Sequence, residues 1–149
     1  MISKILVPSD GSKTARRAAE YAVDLAKQLG ASMIALTVID QRSFIAQTVP
    51  MSETARHTIE PIADYLREAA EGYVGEIKNL CDKSGVPAEI SIKTGHPVEE
   101  IVKAARKSKA DLIVMGSHGR SALSATVLGS VSYGVIHNDK SIPILIVRG

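Results

Sequence analysis

The chain has 149 residues, 45% of them hydrophobic and 23% charged, which suits one globular domain with a buried core and excludes a disordered chain. The formal net charge is +2 with no basic block, and aromatic residues make up only 3%, so neither nucleic acid nor a membrane surface is indicated as a partner. No apolar run approaches the length of a membrane span, so membrane insertion is not expected. Residues 1–4 lead into a strand without a signal-peptide pattern, so a cytoplasmic location is expected.

The first unit reads as strand, turn and helix. Residues 5–7 form a short apolar run typical of a central strand covered on both faces, and Pro8 ends it because proline cannot donate to a ladder. Asp10 and Gly11 predict a turn in which Ser12 caps the next helix. From Ala15 to Leu29 small apolar residues recur at helical spacing, so this helix should lie close to a sheet and stop at Gly30.

The middle of the chain predicts a second strand over 33–39 and a loop over 40–52. A helix is expected from Glu53 to about Gly85, with a kink or a fresh start at Pro61. Its single Cys81 is interpreted as a small buried thiol. Residues 89–94 alternate apolar and polar side chains, which predicts a strand exposed on one side and hence an edge strand.

The last third continues the alternation. A helix should begin at Pro97, and a buried strand over 112–115 is followed by a long loop. The last helix is predicted over 130–138, with a close contact at Gly134, and the last strand over 144–148.

Alternating strands and helices predict an α/β fold, with a parallel sheet and helices on both faces. Ligands of such sheets bind beyond the carboxyl ends of the strands, where the winding reverses. The first strand and the strand over 112–115 both end in polar turns, so we expect them to be neighbours there. This arrangement would bring Asp10 beside Gly116.

Three glycines and a serine follow the strand over 112–115 with the spacing G-x2-G-x9-G-S, namely Gly116, Gly119, Gly129 and Ser130. A strand that delivers a glycine-rich loop to a helix N-terminus offers backbone N–H groups and a positive dipole end to an anion. The pattern therefore predicts a phosphate cradle.

Efficient phosphoryl-transfer catalysis is not expected. It requires a positioned base or water-orienting group and usually carboxylates for Mg²⁺. Residues 116–138 contain no Asp or Glu, and only Asp10 and Asp40 stand near strand ends. The chain also lacks a P-loop, a G-x-G-x-x-G fingerprint and the acidic cluster of a receiver domain.

The segment V-P-S-D over 7–10, the G-x-P turn over 95–97 and the glycine spacing together resemble the universal stress protein family, over essentially the whole chain. The resemblance implies one domain over 1–149 with an open five-stranded parallel sheet of order 3-2-1-4-5. This is a Rossmann-like fold of the adenine-nucleotide alpha-hydrolase type. It further implies ATP as ligand, together with Mg²⁺, and a homodimer formed through the last strand, 144–148.

Site residues follow from the same resemblance. Pro8 and Asp10 should border the adenosine, and the backbone of Val38 should meet the adenine. The residues expected to line ribose and phosphates are Gly116, His118, Gly119, Gly129, Ser130, Val131 and Ser132, with Arg120 as the one cation in the loop. Simpler interpretations remain: Ser130 as a helix N-cap, His118 as a loop histidine without catalytic work, and Arg120 as a solvated surface residue.

Two main functions are consistent with these observations. One is a nucleotide-dependent sensor or regulatory dimer in the stress response, acting on a regulatory protein that the sequence does not identify. The other is a nucleotide-independent dimeric interaction protein whose glycine loop is only structural. A weak ATPase is a third.

Overall fold

The computed structural model describes residues 1–42, 53–119 and 128–149, in which strands and helices alternate as predicted. The strands are β1 Lys4–Pro8, β2 Ser32–Asp40, β3 Ala88–Gly95, β4 Leu112–Gly116 and β5 Ile144–Val147. The helices are α1 Lys13–Leu29, α2 Glu53–Ser84, α3 Pro97–Ser108 and α4 Ser130–Asn138.

The five strands form one parallel sheet in the order β3-β2-β1-β4-β5, which confirms the predicted topology. Strand β1 lies at the centre, and its Ile5 pairs with Met33 of β2 on one side and Leu112 of β4 on the other. The winding therefore reverses between β1 and β4. This is the point at which open parallel sheets bind their ligands.

Side chains of the central strand alternate between two apolar cores. Ile5 and Val7 are fully buried against α1 and α2, whereas Leu6 is fully buried on the opposite face with residues of α3 and α4. Burial on both faces explains why β1 is an uninterrupted apolar run. The two layers of helices cover both faces of the central strand, so a ligand of β1 has to approach from an end of the strand.

Several local predictions are confirmed. The Ser12 hydroxyl caps α1 by accepting a hydrogen bond from the Ala15 N–H at 3.1 Å, and Gly30 ends the helix at φ +66°. A Cβ on Gly134 would lie 2.6 Å from a Val98 methyl group, so α4 packs there directly on α3. Burial raises the pKa of the Cys81 thiol, as expected of a core cysteine.

Two boundaries differ from the prediction. Helix α2 runs without interruption through Pro61, so the alternative of a fresh start there is wrong. A proline removes one backbone N–H and disturbs one turn, whereas this helix of 32 residues retains regular turns on both sides. Strand β5 ends at Val147, one residue earlier than expected. Of the loop predicted over 40–52, residues 43–52 lie outside the described residues.

Candidate functional site

A cleft of about 780 Å³ opens at the carboxyl ends of β1, β2 and β4. This volume lies within the range of ordinary small-molecule sites. All of the predicted site residues that the structure describes line it: Pro8, Asp10, Val38, Gly116, His118, Gly119, Gly129, Ser130, Val131 and Ser132. Arg120 lies outside the described residues.

The wall formed by β1 and β2 is held by hydrogen bonds beyond the regular ladder. The Ser9 N–H donates to Leu36 O at 2.8 Å, and the Thr37 hydroxyl donates to Ser9 O at 3.0 Å. Asp10 then accepts a hydrogen bond from the Ser12 N–H at 3.0 Å. The carboxylate thereby closes the predicted turn into α1 and also lines the cleft.

The glycine loop is tied to the sheet at its base. Ser117 donates its N–H to Val147 O of β5 at 3.0 Å, and the Gly129 N–H donates to Ser117 O at 2.7 Å. A Cβ on Gly129 would lie 2.9 Å from His118 Cα, and a Cβ on Gly119 would overlap the Asp10 carboxylate. Glycine fits at both positions because a Cβ would force the loop backbone to shift at 129 and would overlap the carboxylate at 119.

The amino end of α4 forms the cleft wall opposite β2. Gly129 has extended backbone angles and its carbonyl accepts from the Tyr133 N–H at 2.9 Å, so Gly129, and not Ser130, is the N-cap. The N-cap interpretation of Ser130 is therefore wrong, since Ser130 is already the first helical residue. The N–H groups of residues 130–132 have no partner within the helix and carry its positive dipole end.

Two groups predicted to hold phosphate, the Gly129 N–H and the Ser132 hydroxyl, already donate hydrogen bonds within the protein. The Gly129 N–H is already donated to Ser117 O, so in this geometry Gly129 provides close approach and not a donor. The Ser132 hydroxyl is buried and donates to Gly116 O at 2.8 Å. The hydroxyl proton of Ser132 thus joins α4 to the end of β4, so the group that Ser132 can offer to a ligand is its backbone N–H.

The imidazole of His118 is held on both sides. Its Nε2 lies 3.1 Å from the hydroxyl of Thr14, and its Nδ1 lies 3.1 Å from the hydroxyl of Ser117. Both ring nitrogens thus have hydroxyl partners, and the contact with Thr14 joins the loop to α1. Thr14 is nearly buried on α1, and no spacing signal in the sequence pointed to it.

Sequence reasoning missed the wall contributed by α2. The helical spacing of Leu66, Ala69 and Tyr73 is that of an apolar stripe, and these side chains line the cleft together with Tyr65 and Ala70. The ring of Tyr73 lies against Gly11, where a Cβ would overlap the ring, and the φ of +79° at Gly11 also favours glycine. An apolar stripe facing a cleft has the same period as one facing a core, so periodicity could not separate the two.

A charged pair stands at the end of β2. The guanidinium of Arg42 contacts the Asp40 carboxylate, with Nη2 2.6 Å from Oδ2. This hydrogen bond to Arg42 lowers the pKa of Asp40 below its usual value and keeps the carboxylate ionised. Within the described ranges, Arg42 is the only lysine or arginine that lines the cleft.

Comparison with known proteins now assigns the chain. The model of the universal stress protein family matches residues 1–148. The chain belongs to the universal stress protein family. It is 35% identical to universal stress protein MJ0531 of Methanocaldococcus jannaschii over 148 residues, covering 99% of this chain and 83% of that protein.

Solved structures agree with this assignment. The structure of MJ0577, a universal stress protein of Methanocaldococcus jannaschii, matches with a TM-score of 0.83 and 33% identity, covering 99% of this chain and 96% of that one. A universal stress protein solved in complex with cAMP matches with a TM-score of 0.64 and 28% identity, covering 99% and 97%. Nucleotide binding thus occurs in a relative with this fold.

The described part of this universal stress protein has neither a membrane-spanning helix nor a cluster of metal ligands. None of its helices is long and apolar enough to cross a membrane. No group of three or more His, Cys, Asp or Glu residues in residues 1–42, 53–119 and 128–149 could hold a metal ion.

Proposed function

We propose that this universal stress protein binds ATP in the cleft and acts as a nucleotide-dependent sensor or regulatory dimer in the stress response. The observation that carries the proposal is the convergence of the predicted residues on one cleft, with the amino end of α4 in its wall. The cAMP complex of a relative supports an adenine nucleotide as the class of ligand.

The chemistry of the lining fits ATP in one orientation. The N–H groups of residues 130–132 would donate to phosphate oxygens, and Asp10, beside Gly119, would accept from the ribose. Pro8 and the backbone of Val38 would border the adenine. Mg²⁺ commonly binds substrate phosphates and one or two carboxylates while retaining water, so it would enter with ATP, with Asp10 as the nearest carboxylate in the cleft.

The proposed homodimer uses the exposed edge of β5. Residues 144–146 are only half-buried in the single chain, and such an edge favours pairing with a second strand. The hydrogen bond from Ser117 to Val147 joins this edge to the glycine loop. ATP occupancy would thereby affect the surface that the dimer presents to a regulatory protein.

The proposal treats residues 1–149 as one nucleotide-binding domain that works in the cytoplasm, where ATP is abundant. The same geometry favours holding ATP over hydrolysing it. Asp40 is held by the Arg42 guanidinium, and the partners of the His118 ring are hydroxyl groups of the protein itself, so we infer that neither residue activates water. We expect at most weak ATPase activity, which a phosphate-release assay would measure.

A nucleotide-independent interaction protein is the second candidate. The observation in its favour is that the glycine loop is already joined to β5 and α1 through Ser117 and His118, without a ligand. In that case the glycines would serve the fold alone.

Calorimetric titration with ATP and Mg²⁺, after analysis of the purified protein for bound nucleotide, separates the two candidates. Micromolar binding, or ATP already bound, supports the sensor. Absence of both in a folded dimer would refute it in favour of the interaction protein.

A further inference from the structure

Both oxygens of the Asp40 carboxylate accept hydrogen bonds from one neighbouring residue, Arg42. Arg42 donates its backbone N–H to Oδ1 at 2.9 Å, its Nε to both oxygens at 3.0 Å, and its Nη2 to Oδ2 at 2.6 Å. Three N–H groups of Arg42 thus donate to the carboxylate, with the Nε proton shared between its two oxygens, so a ligand that used either oxygen would compete with Arg42. The pair is local and bidentate, with the side chain of Arg42 67% exposed and that of Asp40 26% exposed.

The pair stands at one particular end of the cleft. Asp40 is two residues beyond Val38, so both lie on the same face of β2, and both line the cleft with Arg42. Strand β2 is separated from β4 by β1, which places the pair about 10 Å across the sheet from the strand that leads to α4. If phosphates lie at α4, as the proposed function requires, Asp40 and Arg42 lie at the end that receives the base.

An unpaired carboxylate at that end would select the wrong base. The Watson–Crick edge of guanine presents two adjacent donors, N1–H and the exocyclic N2–H, that match the two oxygens of a carboxylate. Adenine presents the N6 amino donor beside the N1 acceptor, so a carboxylate can pair with only one of these groups. Asp40 alone would therefore favour guanine nucleotides.

We propose that Arg42 is a specificity-determining residue, which occupies the Asp40 carboxylate and so makes the cleft reject guanine in favour of adenine nucleotides. This inference rests on the proposed function. Sites that leave a polar group of the wrong ligand unpaired discriminate strongly.

The test compares Mg-ATP and Mg-GTP by calorimetric titration of the wild type, Arg42→Ala and the double variant Asp40→Asn/Arg42→Ala. Arg17→Ala, which removes an exposed arginine of α1, is the matched control. We expect the wild type to prefer ATP at least tenfold. Arg42→Ala should bind GTP at least tenfold more tightly than the wild type, with ATP affinity within threefold. The double variant should lose the gain, since the carboxylate is then absent.

Two outcomes would overturn the inference alone: Arg42→Ala with unchanged GTP affinity, or an equal loss of both nucleotides. The second would mean that Arg42 contacts the phosphates that ATP and GTP share. Failure of the folded wild type to bind ATP would instead refute the proposed function, and the inference with it. Circular dichroism of each variant establishes that it is folded.

Discussion

Replacing Gly129 by alanine adds a single methyl group at the narrowest point of the glycine loop. The backbone angles of Gly129, φ −64° and ψ 156°, are available to alanine, so the effect is one of space alone. The new Cβ would lie 2.9 Å from His118 Cα, 3.4 Å from Ser117 O and 3.5 Å from Gly119 N. Relaxing the first contact to 3.4 Å requires a movement of about 0.5 Å.

This movement falls on the proposed cradle. His118 is fixed from the other side by Thr14, so the displacement must be shared by the loop and the first turn of α4. We expect the affinity for ATP to fall at least tenfold, which corresponds to about 1.4 kcal/mol. Stability should fall by only about 1 kcal/mol, since alanine is a poorer N-cap than glycine.

Calorimetric titration with Mg-ATP measures the affinity, and thermal unfolding followed by circular dichroism measures the stability. Gly75→Ala, in the middle of α2, is the matched control, because a Cβ there meets nothing within 4 Å. The control should bind ATP like the wild type. A folded Gly129→Ala protein that also binds ATP like the wild type would refute the reasoning.

Three further predictions concern Thr14 on α1, the outer edge of β5 and Asp139 at the end of α4. Thr14→Val removes the hydroxyl beside His118 and should weaken ATP binding threefold to tenfold by calorimetry, whereas Thr14→Ser should not. Ile146→Pro removes an N–H on the outer edge of β5: the carbonyls of Pro143 and Val147 face β4, so by the alternation along the strand the backbone groups of residues 144 and 146 face outward. Light scattering should then show a monomer, and an intact dimer would contradict the proposed interface. Asp139→Asn should cost about 2 kcal/mol at pH 7 in urea unfolding. Hydrogen bonds, chiefly from the Ser141 hydroxyl, lower the pKa of Asp139 in the folded protein, so the ionised carboxylate contributes its full stabilisation above about pH 4. The difference in the free energy of unfolding between wild type and variant should shrink as the pH falls below that value.

The fold was predictable because its signals are local and agree with one another. Short strand segments that are mostly apolar, or apolar at alternate positions as in 89–94, are separated by stretches with helical period, and this order predicts a parallel sheet covered by helices. The Ser12 cap and the Gly30 stop are set within a few residues of the chain, and the structure has both. Pro61 is different, because its effect depends on how much regular helix remains on either side.

The candidate site was predictable on the side that the glycine spacing describes. Glycine at positions 119 and 129 is demanded by close approaches of backbone and carboxylate, and this demand leaves a mark in the sequence. The cleft wall formed by α2 has no such sequence signal, since Tyr73 has the same helical spacing whether it faces a core or a cleft. Thr14 was also missed, because its contact with His118 joins residues 104 apart in the chain.

The most direct test of the central claim is the chemical shift of backbone amides when Mg-ATP is added to the 15N-labelled protein. The account predicts that the amides of Ser130, Val131 and Ser132 shift strongly, because their N–H groups donate to phosphate oxygens. The amide of Gly129, already donated to Ser117 O, should shift less. Shifts confined to other surfaces, or none at saturating ATP, would contradict the assignment of the cleft as a nucleotide site.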